Sequence, residues 1–194
     1  VFGRLPVPDG AAVGCFCESD AVYDSFDDGD FARHAEGSGC VYDNRTQRNA
    51  ICKIKVKHDG EYLCFLLRTK QPVTPYDGTG SWMRLYLNTT GGQGYQFVLN
   101  THPAPDGTTT LARVTGTDDD LTAADLPDVA AFYEVDGDKF KIKVPLRALG
   151  LDPDGFTVWF KAADSREPIA SVEDFYDKGD VAPLGRMNFV YRGK

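Results

Sequence analysis

The chain has 194 residues, of which 42% are hydrophobic and 26% are charged, so it is long enough for one well-buried core and short for two. Its net charge of −8 argues against nucleic acid as a partner, because phosphate binding needs a basic surface stripe. The sequence contains no apolar run of the roughly 18 residues that a membrane-spanning helix needs. We therefore expect one domain without a nucleic-acid or membrane partner, with residues 1–20 as a leader or edge segment and about 21–192 as its core.

The chain begins without a methionine or a charged segment ahead of an apolar stretch, which is typical of a piece of a longer protein. After the leader, residues 21–31 carry an acidic turn, and residues 39–42 form a candidate strand.

The segment ICKIKVKHDGEYLCFLLR, residues 51–68, predicts an antiparallel hairpin with one apolar and one polar face. With Asp59 and Gly60 as a two-residue turn, three apolar pairs are expected on one face: Val56 with Leu63, Ile54 with Phe65, and Cys52 with Leu67. A strand with one apolar and one polar face is half buried, so the hairpin predicts a sheet that packs on a core through one face.

The segment SWMRLYLN, residues 81–88, alternates in the same way. The face expected in the core carries Met83, Leu85 and Leu87. The opposite face carries Trp82, Arg84, Tyr86 and Asn88. A glycine-rich turn follows, and YQFVLN, residues 95–100, is expected to pair with this strand as a second hairpin.

Further strands are predicted at 108–115, 131–135, 139–144, 156–162 and 187–191. Residues 145–149 predict one helical turn, with proline at its start and Gly150 after its end, and Asp119 or Asp120 could cap another in 118–129. Nine or ten short strands with one or two short helical turns indicate an all-β fold. We expect an antiparallel, two-sheet β-sandwich of the jelly-roll-like kind.

Five cysteines form no C-x-x-C pair, so neither a disulfide framework nor a zinc site is indicated. Cys52 and Cys64 point to opposite faces of the predicted hairpin, which argues against a bond between them. Cys52 is expected in the core.

A pyranose presents a face of C–H groups and a rim of hydroxyls, so it needs an aromatic platform surrounded by fixed donors and acceptors. The polar face of residues 81–88 offers both, and Trp159 and Lys161 would add to it if their strand is a neighbour in the same sheet. Gln96 and Asn100 are weaker candidates. Alternatively, loops cover Tyr86 and Trp159 and the face binds nothing.

Several segments in this order resemble a family 9 carbohydrate-binding module: the run 52–73, MRLYLNTT, GYQFVLN, DKFKIKVPLRALGL and GDVAPLGRMNFVY. More broadly, they resemble the DOMON-like β-sandwiches that accompany glycoside hydrolases as noncatalytic domains. The resemblance covers residues 21–192 and implies a polysaccharide or oligosaccharide ligand. It also implies a catalytic domain on the same parent chain.

In that family, two aromatic side chains hold the sugar, one from the loop before the MRLYLN-like strand and one from the loop before the last strand. By position, these loops here offer Tyr76, Phe175 and Tyr176. Neither loop contains the expected tryptophan; Trp82 lies within the strand instead.

Members of the family can carry structural calcium, and four aspartates of the acidic turn are hard oxygen ligands of the right type: Asp24, Asp27, Asp28 and Asp30. A lower-ranking acidic set is Asp174, Asp177 and Asp180. The histidines show no ligand spacing, and no other cofactor is expected. DOMON-like relatives also include haem binders, but that role needs axial ligands, and only Met83, Met187 and three scattered histidines are available here.

The sequence contains no nucleophile elbow, P-loop, zinc-protease or dinucleotide motif, so we expect no enzyme activity of its own. The sequence-based hypothesis is a noncatalytic carbohydrate-binding module of a secreted or cell-surface protein. The alternative is a structural accessory sandwich that packs on a neighbouring glycoside hydrolase domain and binds no glycan.

Overall fold

The computed structural model describes residues 13–14, 16–17, 20–24, 31–34 and 41–194. The strands within these residues are β1 (Ala21–Asp24), β2 (Phe31–His34), β3 (Val41–Asn44), β4 (Ile51–His58), β5 (Tyr62–Thr69), β6 (Ser81–Asn88), β7 (Phe97–Leu99), β8 (Thr108–Thr109), β9 (Leu111–Val114), β10 (Ala123–Asp125), β11 (Ala131–Asp136), β12 (Lys139–Pro145), β13 (Phe156–Ser165), β14 (Asp180–Ala182) and β15 (Phe189–Gly193).

The strands form two large antiparallel sheets and a separate pair, β2 with β3. The six-stranded sheet has the order β1-β4-β5-β12-β11-β8. The seven-stranded sheet has the order β10-β9-β7-β6-β13-β14, and β15 also pairs with β13. The predicted all-β sandwich of two antiparallel sheets is confirmed. More strands are described than predicted, because strands of two or three residues, such as β8 and β10, are too short to show alternation.

The main core lies between the two large sheets and takes the inward side chains of both. Ile54, Val56 and Phe65 come from the six-stranded sheet, and Leu85 and Phe160 come from the seven-stranded sheet. All five are fully buried. Burial of such alternating side chains is the dominant favourable contribution to the stability of a sandwich.

The first hairpin forms with the predicted face but with a different register. Val56 lies opposite Phe65 rather than Leu63, and Ile54 lies opposite Leu67. The connection is longer than two residues because the Asp59 carboxylate accepts hydrogen bonds from the backbone of the turn and Asp59 N–H donates to Tyr62 O. The shift is two residues, so the apolar face is kept.

Cys52 does not lie in the core, contrary to prediction. The register shifts between Ile51 and Lys53, so Ile51 is fully buried while Cys52 is half-buried and its thiol donates to Arg68 O. Such a bulge reverses the alternation on one side of it. Cys52 and Cys64 are free thiols.

The helical turn predicted at 145–149 is confirmed as a 3-10 helix over Leu146–Leu149, and Gly150 follows it at φ 69° in the left-handed conformation. A second 3-10 turn lies at Glu173–Tyr176. The helical turn proposed within 118–129 does not form. The Asp120 carboxylate there binds the backbone and hydroxyl of Thr122 in a local turn that leads into β10.

Candidate functional site

A bulge in β6 changes the face on which Trp82 lies. Arg84 pairs with Ala163 and Ser81 pairs with Ser165, so Trp82 and Met83 together lie opposite a single residue of β13. Met83 has φ 44°, an uncommon conformation for a side chain other than glycine. Trp82 and Met83 therefore both belong to the core between the sheets, together with the predicted Leu85 and Leu87.

The bulge is held by Asp164, the residue opposite it. The Asp164 carboxylate accepts hydrogen bonds from the backbone N–H of Met83 and of Asn49, each at 3.0 Å. Arg48 binds both oxygens of this carboxylate at 3.2 and 3.3 Å, and both side chains are fully buried. On the other side, the Asn100 amide donates to Trp82 O at 2.9 Å. Buried polar groups with this many partners fix a local backbone conformation.

Trp82 is packed as a core residue. Its ring makes edge contacts with Tyr133 and Phe140 at centroid distances of 5.5 and 5.3 Å, and its indole N–H donates to Thr74 O at 2.8 Å. Tyr76 packs against the same ring at 5.6 Å. The structure thus places Tyr76 and Trp82 at the core and away from the other predicted sugar-binding residues.

The outer face of the seven-stranded sheet carries a second apolar cluster. Tyr86 lies in this cluster, and the connection between β13 and β14 covers it with Ile169, Val172 and Phe175. The Tyr86 and Phe175 rings meet edge-to-face at 5.1 Å. Each of the two is 1% exposed, so neither offers a platform for a sugar.

The strands β6 and β13 are neighbours in the same sheet, which is the condition set for Trp159 and Lys161. Trp159 pairs with Asn88, and Lys161 pairs with Tyr86. Lys161 is nevertheless fully buried, with its ammonium group 5.2 Å from the Phe175 ring and hydrogen-bonded to Pro183 O. Burial lowers the pKa of this amine to about 7.

Asn88 and Trp159 support the glycine-rich turn. The Asn88 amide donates to Gly92 O and Gly94 O, each at 2.7 Å, and its oxygen accepts from Gly91 N–H. Gly91 adopts φ 74°, and a Cβ added there would lie 3.0 Å from the half-buried Trp159 ring. Both side chains therefore hold the turn in place.

Tyr176 is half-buried and its ring approaches Gly185, where an added Cβ would lie 3.0 Å from a ring carbon. Together, the structure brings Arg84, Tyr86, Asn88, Trp159, Lys161 and Phe175 to one side of the seven-stranded sheet. Most of this group is covered.

A polar cleft of about 530 Å³ opens beside this cluster. Its lining consists of Gln93, Gly94, Tyr95, Gln96, Arg113, Val114, Gly116, Thr117, Asp118, Asp119 and Leu121. The Arg113 guanidinium lies 4.8 Å from the Phe97 ring centroid. Gln93, Thr117 and Asp119 are exposed, so their amide, hydroxyl and carboxylate groups are open to a ligand.

The walls of the polar cleft are tied to the segment that covers Tyr86. Val172 N–H donates to Asp118 O at 2.9 Å, and Leu121 N–H donates to Ala170 O at 2.6 Å. Gly94, at φ 77°, lets the Asp118 carboxylate approach, since an added Cβ would lie 2.8 Å from an oxygen of that carboxylate. The cleft is therefore largely preformed.

A small cavity of about 160 Å³ lies beside the polar cleft and shares Leu121 with it. Its polar lining residues are Arg84, Tyr86, Thr101, His102 and Asp125. Asp125 accepts a hydrogen bond from Thr101 at 3.1 Å and lies 3.0 Å from His102 Nδ1. Burial raises the pKa of the Tyr86 phenol, and the neighbouring Arg84 guanidinium and Ser81 partly oppose that shift.

Of the acidic turn proposed for calcium, Asp24 is described, and its carboxylate lies 3.6 Å from Lys53 Nζ. Asp27, Asp28 and Asp30 lie outside the described residues. Within the described part of the chain, no three His, Cys, Asp or Glu side chains are grouped to hold a metal ion. In the same residues, no helix is long and apolar enough to cross a membrane.

The comparisons of this chain with protein-family models, with curated proteins and with solved structures give no match.

The lining of the polar cleft was not identified from the sequence, apart from Gln96 as a weak candidate. Its other polar residues lie in turns rich in Gly, Thr and Asp, a composition that indicates a loop but does not show which loops meet.

Proposed function

We propose that this chain is a noncatalytic carbohydrate-binding module that holds a glycan-degrading catalytic domain of the same parent protein against polysaccharide. The observation that carries the proposal is the polar cleft on the outer side of the seven-stranded sheet, preformed and about 530 Å³ in volume. A secreted or cell-surface parent protein follows from this role, because that is where polysaccharide is met.

The cleft suits a polyhydroxylated ligand. Gln93 and Thr117 can donate to and accept from hydroxyl groups, while the carboxylates of Asp118 and Asp119 accept from them. Tyr95 adds little stacking surface because it is only 8% exposed. We therefore infer that recognition depends on hydrogen bonds more than on the aromatic stacking expected from the resemblance.

Affinity electrophoresis in gels that contain different polysaccharides, together with a glycan array, tests the proposal. The variant is Gln93→Ala combined with Asp119→Ala. Both side chains are exposed, so their removal should weaken glycan retention and leave the melting temperature unchanged. The matched control is Gln71→Ala with Asp128→Ala, the same substitutions at exposed sites outside the cleft. Equal retention of the two variants would contradict the site.

A second candidate is a structural sandwich that packs on a neighbouring glycoside hydrolase domain without binding glycan. It is favoured by the burial of Trp82, Tyr86 and Phe175, which makes these aromatic side chains packing residues. A silent glycan array would support it. A lower melting temperature of the parent's catalytic domain when this chain is deleted from the parent would add to that support.

A further inference from the structure

The small cavity contains hydrogen-bond donors that have no acceptor. Tyr86 Oη and Arg84 Nε are both buried, and neither makes a well-formed hydrogen bond with the described residues, although Ser81 and the Arg84 guanidinium lie close enough to the phenol to oppose the rise of its pKa. Arginine stays protonated in proteins, and a buried charged donor without a partner costs free energy. An acceptor supplied by a ligand would remove that cost at both atoms.

The carboxylates around this cavity already have partners. Asp125 is engaged by His102 and Thr101. Asp174, whose charge reaches Tyr86, lies 2.9 Å from Lys178 Nζ. Among the described residues, no ion pair involves Arg84. Arg84 therefore brings to the cavity a guanidinium charge that no described carboxylate pairs with, and this charge suits an anionic group.

The volume of the small cavity and the net charge of the protein limit the kind of anion that can bind there. A cavity of about 160 Å³ equals the share of about five liquid water molecules, which admits a carboxylate together with part of its carrier. The net charge of −8 disfavours a polyanion, because a chain of many carboxylates would be repelled.

We propose that the small cavity is a subsite for a single carboxylate, carried by one acidic sugar unit of an otherwise neutral glycan. Arg84 Nε–H and the Tyr86 hydroxyl are its donors, and the planar guanidinium matches the geometry of a carboxylate. The polar cleft next to it would hold the neutral part of the same ligand. The choice of a sugar as the carrier rests on the proposed function, whereas the carboxylate site does not.

The test is an NMR titration that follows the Nε–H signal of Arg84, assigned by its loss in Arg84→Lys. The probes are sodium D-glucuronate, D-glucose and sodium acetate. Glucuronate should shift the signal saturably, acetate should shift it more weakly, and glucose should leave it in place. An Arg84 signal that glucuronate does not move would overturn the proposal, as would an equal response to glucose.

Tyr86→Phe keeps the ring in its cluster and removes one donor, so the dissociation constant for glucuronate should rise roughly tenfold. Tyr133→Phe is the matched control. It removes a tyrosine hydroxyl that donates to Ala104 O at 2.7 Å and lies outside both the small cavity and the polar cleft. The Tyr86→Phe variant must unfold at the same temperature as the unsubstituted chain. Given that, an unchanged dissociation constant for glucuronate would contradict the assignment of the donors.

The two proposals fail in different ways. In one outcome, neutral oligosaccharides bind in a way that Gln93→Ala weakens, while glucuronate leaves the Arg84 Nε–H signal in place. In that case the carboxylate subsite is wrong and the glycan-binding role stands. If glucuronate and acetate shift the Arg84 Nε–H signal equally and no glycan is retained, the carboxylate site stands. The assignment of a sugar as the carrier of the carboxylate is then wrong.

Discussion

Trp82 and Tyr86 lie four residues apart on β6, yet their side chains belong to clusters on opposite faces of the sheet. In a regular strand this even spacing would put them on one face. The bulge at Met83, opposite Asp164, removes one step of the alternation. The aromatic platform expected from the sequence is thus divided between two buried clusters.

Because Trp82 is a core residue with 2% exposure, Trp82→Ala should lower the free energy of unfolding by about 3–5 kcal/mol. Urea denaturation monitored by circular dichroism measures the change. Met187→Ala, which shortens an apolar side chain that is 72% exposed, is the control and should be nearly neutral. A Trp82→Ala variant as stable as the control would show that the tryptophan is not buried.

Removal of the Asp164 carboxylate should destabilise the fold by about 3–5 kcal/mol, since it leaves the buried Arg48 without its partner and the bulge without an acceptor. Asp164→Ala is compared with Asp154→Ala, an exposed aspartate, in the same denaturation assay. A cost below about 1 kcal/mol, the range of exposed ion pairs, would contradict the role assigned to Asp164.

Lys161 should make stability rise with pH between about 7 and 10. Its pKa is about 7 in the folded protein, against roughly 10.4 for lysine in an unfolded chain. Between these values the unfolded chain binds more protons, so raising the pH favours folding. The free energy of unfolding of Lys161→Met, relative to that of the unsubstituted chain, should therefore fall steadily when urea unfolding is repeated from pH 7 to 9.5. A difference that does not change with pH would show that Lys161 keeps its ordinary pKa.

Cys64 should react slowly with alkylating reagents in the folded protein. It is buried, and burial raises the pKa of its thiol to about 11. At pH 8 its thiolate fraction is then roughly a hundredfold lower than that of an ordinary thiol. Peptide mass spectrometry after timed iodoacetamide treatment should show modification of the half-buried Cys52 well before Cys64. The difference should disappear in urea, and equal folded-state rates would contradict it.

Parts of the fold were predictable because they depend on local patterns. The apolar faces of β4 and β12 follow from the alternation of apolar and polar residues, and the 3-10 turn at Leu146–Leu149 follows from its flanking proline and Gly150. The register of the first hairpin was not predictable, because it depends on how the Asp59 side chain binds the turn. The placement of Cys52 failed for a related reason, since a bulge leaves no mark in the alternation.

The candidate site shows a similar division. Alternation in residues 81–88 and 156–162 predicted two strands but left open whether they are neighbours; in the structure they are, and Trp159 and Lys161 lie beside Asn88 and Tyr86. Whether these side chains meet solvent depends on the segment that follows β13, where Phe175 covers the sheet. The sequence of that segment does not show where it packs.

The sequence by itself determined that this protein is a two-sheet sandwich, because an alternating strand can bury only one face and must find a second sheet to do so. The tertiary structure alone decided which polar and aromatic groups meet solvent. Contacts between residues far apart in the chain, such as Asp164 with Met83 and Val172 with Asp118, set the bulge and bring the loops of the polar cleft together. No local pattern encodes such contacts, since their free energy depends on packing the whole chain.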